Sequence, residues 1–166
     1  MVAVVCSRGE FLRALLRGGP ERLGYAGRAA LHFSSEGIDA ARLVAEALSQ
    51  RWQVTDTLLA LGGIAHAAQM DLINTALQRM TKPAATVTME EIRNCPHLAV
   101  ERAAALFGIA APSRAAVTRH LERYSKNPDE RFDQVRELEA EAELNRRHHA
   151  SLARIEEWLT RQLGEA

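Results

Sequence analysis

The chain carries none of the short motifs by which nucleotide-using and hydrolytic enzymes declare their chemistry. Its 166 residues contain no Walker-type phosphate loop, no dinucleotide fingerprint, no nucleophile elbow and no zincin helix. A stand-alone nucleotide enzyme of the usual α/β kind is thereby excluded as a simple reading. Cysteine is scarce: Cys6 and Cys95 are the only two, too few for a disulfide framework. The longest apolar run, residues 58–68, is broken by Gly62-Gly63 and His66 and falls short of the roughly 20 residues a membrane helix needs. No charged segment followed by an apolar one marks a signal peptide, so a cytoplasmic protein is expected. Charge of one sign is lacking too. Lys and Arg number 21 against 21 Asp and Glu, which leaves nothing global to attract nucleic acid or an anionic membrane. Six histidines are present, but no two of them sit at metal spacing with a partner carboxylate. Cys6 and Cys95-Pro96-His97 together lack the fourth ligand of a closed zinc site, so no metal is expected.

What is present begins at the first residues. Met1-Val2-Ala3-Val4-Val5-Cys6 reads as a short buried strand running into Ser7-Arg8-Gly9-Glu10, the first turn of a helix. Ser-x-x-Glu is a capping box: the serine hydroxyl accepts from the N–H of Glu10, and the Glu10 carboxylate reaches back to the N–H of Ser7. A helix that starts at the carboxyl end of a strand aims free N–H groups and a positive dipole end outward, and Arg8 adds a full charge. Ser7 and Arg8 are therefore candidate anion ligands. Five arginines (Arg8, Arg13, Arg17, Arg22, Arg28) stand against Glu10 and Glu21 before Leu31, consistent either with an anion-facing end or with a solvated helix face.

Along the chain, Phe11, Leu12, Leu15 and Leu16 share one helical face, and Gly18-Gly19-Pro20 stops that helix. A short helix is expected over 22–33. Ile38, Leu43, Val44, Ala47, Leu48 and Trp52 recur at helical spacing, and the pattern continues through Val54, Leu58 and Leu61 to the glycine pair. A further helix is expected over 64–80. Residues 84–88, Ala-Ala-Thr-Val-Thr, form the other strand candidate, followed at once by a second capping box, Thr88-Met89-Glu90-Glu91. Two strands separated by helices, each leading directly into a helix, are the pattern of parallel βα units.

A helix over 98–107 closed by Gly108, another from Pro112-Ser113 to Tyr124, and a charged helix from Asp129 complete the reading. Phe132, Val135, Leu138 and Ala142 supply an inner stripe that resumes at Leu152, Ile155, Trp158 and Leu159. A bend is expected at 145–149. The fold class is thus α/β and predominantly helical: two short parallel strands, the remnant of a larger sheet, packed by helices, with a long charged C-terminal helix, all in one domain over 1–166. Ser125-Lys126-Asn127 offers a hydroxyl, an ammonium and an amide before a helix start, a second candidate phosphate clasp or a plain interhelical turn. His66, on an apolar stretch, is expected to be a core histidine, and His148-His149 to lie at the surface.

Three segments in order carry a resemblance: Val4-Val5-Cys6-Ser7-Arg8-Gly9-Glu10-Phe11-Leu12, Ala105-Leu106-Phe107-Gly108-Ile109, and Tyr124-Ser125-Lys126-Asn127-Pro128-Asp129-Glu130-Arg131-Phe132-Asp133. They resemble the second half of bacterial sulfotransferase-like proteins of the P-loop fold. The resemblance implies sulfuryl transfer from 3′-phosphoadenosine-5′-phosphosulfate (PAPS) to a hydroxyl or amine. It implies Arg8 as the 3′-phosphate ligand, with Ser125 and Lys126 as looser candidates at the same end of the cofactor; Ser7 joins the cofactor-binding candidates from the helix start itself. The family's phosphosulfate-binding loop has no counterpart in this chain, so the resemblance also implies a domain incomplete at its N-terminus and inactive alone. The other class of function open to these residues is a non-catalytic helical binding or assembly module. In it an exposed strand edge pairs with another chain or a second copy.

Overall fold

A computed structural model of the chain describes residues 1–33, 37–121 and 134–164. Among these residues it is an α/β fold dominated by helices: β1 (Val2–Val5), α1 (Arg8–Arg17), α2 (Gly19–His32), α3 (Ala40–Ser49), α4 (Val54–Arg79), β2 (Ala85–Thr88), α5 (Met89–Asn94), α6 (Pro96–Phe107), α7 (Arg114–Leu121) and α8 (Gln134–Leu163). The chain forms two compact units. One holds Met1–Cys6 with Arg79–Glu139, the other Ser7–Gln78 with Ala140–Ala166.

The strand-bearing unit is built on the expected parallel pairing, with Val2 opposite Ala85, Ala3 opposite Thr86, Val4 opposite Val87 and Val5 opposite Thr88. Both strands are short and rich in β-branched residues, which suit a pleated surface. The sheet's helical cover lies over β2, against which α5 and α6 pack. α5 starts at a capping box as read from Thr88 and Glu91. α6 begins two residues earlier than the periodicity suggests, with Pro96 in its first turn, where a missing N–H costs nothing. It ends at Gly108 in the left-handed region (φ +64°), which a side chain would strain.

The all-helical unit holds the main core. Leu12 and Leu15 of α1, Leu23, Ala26 and Ala30 of α2, and Leu43, Val44 and Ala47 of α3 pack with Leu59 to Leu61 and Ile64 of α4. Leu152, Ile155, Trp158 and Leu159 of α8 complete this cluster. Trp52 meets Trp158 edge to face at 5.3 Å, the geometry aromatic quadrupoles prefer.

Several expectations need correction, among them the continuous helical pattern from Ile38 to Leu61, which is divided between α3 and α4. α2 starts at Gly19, not near residue 22, because Pro20 sits in its first turn and nucleates the helix instead of only ending the one before. The glycine pair does not divide a helix: α4 runs through it unbroken. A β-carbon on Gly62 would lie 2.4 Å from Leu15 Cδ1, and one on Gly63 would lie 2.2 Å from Leu159 Cδ1. The glycines are there to admit those leucines, and this packing offsets the roughly 1 kcal/mol that each glycine costs in a helix. α8 likewise has no break at 145–149. No Gly or Pro interrupts it, and Glu143 pairs with Arg146 and Arg147 along its surface. Polarity there leaves the helix intact. The buried stripe is confined to the second half of α8: Val135, Leu138 and Ala142 are exposed.

Candidate functional site

The first candidate site is the N-terminus of α1. Ser7 is its N-cap in extended backbone (φ −65°, ψ 156°), and the capping box is complete. The N–H of Glu10 donates to Ser7 Oγ at 3.3 Å, while the Ser7 N–H and the Ser7 hydroxyl both donate to Glu10 Oε2 at 3.0 Å. Arg8 is half-buried and donates from Nη2 to Thr160 Oγ1 of α8 at 2.9 Å. Glu156 lies one turn before Thr160, over the same end of α1: a β-carbon on Gly9 would come within 2.7 Å of its Oε1. Two carboxylates of the chain thus already stand at the dipole's positive end. They supply the negative charge that the free N–H groups attract, and an external phosphate would have to compete with them.

Farther along α1, Arg13 Nε lies 3.3 Å from Glu141 Oε1 and Arg17 Nη2 lies 3.4 Å from Glu141 Oε2. These arginines serve to tie α1 to α8. Ser125 and Lys126 lie outside the described residues, as do Phe132 and the end of the helix expected to reach Tyr124.

The second βα junction repeats the first. The Thr88 N–H donates to Glu91 Oε2 at 2.7 Å, and the Glu91 N–H donates to Thr88 Oγ1 at 3.0 Å. The backbone hydrogen bond from Thr88 is the main reason the Glu91 carboxyl titrates below the ordinary carboxylate range, with Arg102, which donates to Glu91 Oε1, adding to it. Here too the helix start is closed by its own glutamate.

The other singled-out residues fall into place without forming a site. His66 is buried in α4 with its ring 5.1 Å from that of Phe11, as a core histidine. His149 is exposed and His148 half-buried. Both cysteines are unbridged. Among the described residues no three His, Cys, Asp or Glu come together as metal ligands, and no helix is long and apolar enough to cross a membrane. Comparison with family models, with curated proteins and with solved structures finds no match.

The sequence reading missed Asp56. It is 2% exposed at the start of α4, and Arg154 Nη1 of α8 donates to its Oδ2 at 2.8 Å. A lone acid at the head of an apolar helix was a signal for a buried pair, but a partner 98 residues away leaves no local pattern.

What the described residues do leave open is the outer side of β1. The Ala85 N–H donates to the Met1 carbonyl at 3.1 Å, which sets the phase of the parallel ladder. Ala3 and Val5 then turn their backbone groups toward β2, while Val2 and Val4 turn theirs away. Val4 shares a face with Val87, yet Val4 is 56% exposed and Val87 only 3%. Among the described residues the helical cover of the sheet lies on β2.

Proposed function

We propose that the chain acts as a binding module whose sheet is completed by a strand from another polypeptide, paired along β1. The single observation that carries this reading is the open β1 edge: two outward-turned valines, no charge, no proline and no bulge. Natural sheets guard such edges with one of those devices because an unguarded edge recruits strands. Parallel sheets also need both faces covered, and among the described residues the exposed Val4 beside buried Val87 is where cover is missing. A cytoplasmic setting, which two unbridged cysteines fit, leaves this edge free to find its partner. Amide exchange measured residue by residue tests the reading. Val2 and Val4 exchange freely in the isolated chain and become protected when a strand binds; Val2 and Val4 already protected in a demonstrated monomer would rule it out.

A second reading is favoured by Arg8, which stands in the first turn of a helix that follows directly on a parallel strand. The sulfotransferase-like resemblance makes this arginine a ligand for the 3′-phosphate of PAPS, with the phosphosulfate-binding part supplied by the completing partner. Calorimetry with adenosine 3′,5′-bisphosphate tests it. Arg8→Glu should abolish the heat, and Glu156→Gln should tighten binding several-fold by removing the competing carboxylate. No heat from the wild-type chain or from Glu156→Gln would count against the site.

A further inference from the structure

The open edge of β1 constrains its occupant more than an apolar patch would, because ladder geometry fixes which residues face outward. Resting on the binding-module reading above, we infer that the strand completing the sheet is β1 of a second copy, paired antiparallel about a two-fold axis through Val4.

Three features of the strand-bearing unit lead there. A two-fold normal to the sheet keeps each face on its own side, so mutually opposite residues must share a face and their numbers must have the same parity. Val2 and Val4 are the outward-turned residues, and a register centred on Val4 makes Val4 and Val4 of the second copy a hydrogen-bonded pair that exchanges both N–H···O=C bonds. The two uncovered valine side chains then lie directly opposite each other on the same face. Each covers the other without any additional element.

Charge selects the same occupant. β1 is Val-Ala-Val-Val, so the matching surface is an equally neutral, apolar strand, and this chain carries one. Self-pairing meets no like-charge repulsion along the overlapping residues, Ala3 to Val5. The opposite side of the sheet is less open: the outward N–H of Thr88 on β2 is already taken by Glu91 Oε2 at 2.7 Å. A two-fold pairing uses the β1 edge of both copies, so it closes at two instead of running on into a fibre. The resulting order is β2-β1-β1-β2. A four-residue strand contributes far less than the roughly 800 Å² per partner of a stable interface, so the dimer forms and dissociates with concentration.

The test uses the full chain with Cys6→Ser and Cys95→Ser, carrying either Val4→Cys or Ala3→Cys. In the inferred register the two Val4 Cα atoms lie about 5.5 Å apart, inside the range a disulfide spans. Mild oxidation should therefore link Val4→Cys into a covalent dimer and leave Ala3→Cys monomeric. Linking through Ala3→Cys instead would overturn the register. Because both variants alter the strand, sedimentation and amide exchange of the unaltered chain supply an independent measure. Dimer mass and protection of the Val4 amide should rise together as concentration rises.

A monomer at all concentrations overturns self-pairing. A synthetic alternating Thr-Val strand peptide, added to that monomer, then separates the two claims. Protection of Val2 and Val4 by the peptide keeps the binding-module reading while the second copy is rejected; no protection removes both.

Discussion

Gly63 shows how a residue that looks like a helix breaker can be a packing requirement. A β-carbon there would meet Leu159 Cδ1 at 2.2 Å, with Cδ2 and Cγ at 3.2 and 3.3 Å, and Leu159 is fully buried. The leucine cannot swing aside as a surface side chain would. Gly63→Ala should therefore destabilise the protein by about 1–3 kcal/mol, the usual cost of overpacking, despite the better helix propensity of alanine. Gly24 of α2 provides the contrast. Nothing lies within 4 Å of a β-carbon there, so Gly24→Ala should stabilise by up to about 1 kcal/mol. Urea denaturation of the two variants beside the parent measures both signs.

The Asp56–Arg154 pair makes a different residue-scale argument, because its members differ so much in burial. The Asp56 side chain is 3% exposed and that of Arg154 52%. Removing the arginine strands a buried carboxylate, whereas removing the carboxylate leaves a guanidinium that water can solvate. At neutral pH, Arg154→Met should cost about 2–3 kcal/mol and Asp56→Asn distinctly less. Equal losses in the two variants would show that burial does not decide this pair.

At the scale of elements, the capping box of α5 makes a pH statement. Glu91 is held ionised chiefly by the Thr88 N–H, with Arg102 helping. A carboxyl whose folded pKa is depressed contributes stability that is fully present above its unfolded pKa and is lost as pH falls through the folded one. The α5 start should accordingly stay closed at neutral and mildly acidic pH and open only below the ordinary carboxylate range. A carbon-detected NMR titration should place Glu91 below an unfolded reference peptide, and Thr88→Val, which removes the hydroxyl that fixes the box, should move it upward.

These elements also show what the sequence makes legible. Both capping boxes and the Gly108 stop rest on local rules, in which two or three neighbouring residues decide the geometry, and the parallel strand pair was legible because each short strand leads directly into a helix. The continuity of α4 and α8 does not. Gly62 and Gly63 read as a break until Leu15 and Leu159 are in place, and the polar 145–149 segment reads as a bend until its role as a solvated helical face is seen. At the α1 start, Ser7, Glu10 and Arg8 were legible as a cap with a charge beside it. Thr160 and Glu156, which now engage that end of the helix, come from more than 140 residues away and leave no mark in the local pattern.

For the whole molecule, the uneven distribution of buried apolar surface implies uneven stability. The cluster from Leu12 through Leu159 lies entirely within the helical unit, whereas the buried apolar side chains of the strand-bearing unit are Val87, Ala99, Ala104 and Val117 among the described residues. Regions with few buried contacts open at lower free energy than the global transition. Native-state hydrogen exchange should therefore find the slowest amides in the middle of α4, around Leu59 to Ala65, and in the second half of α8, around Leu152 to Leu159. The inward-turned amides of Ala3 and Val5 should exchange through a cheaper opening, and the outward-turned amides of Val2 and Val4 with no opening at all. A strand laid along β1 would change this order in a specific way. It would slow Val2 and Val4 first and raise the opening free energy of the strand-bearing unit, because a ligand bound only to the closed form stabilises it by mass action. If β1 and β2 instead exchanged as slowly as the centre of α4 in a demonstrated monomer, the sheet would already be complete, and the case for a missing strand would fall with it.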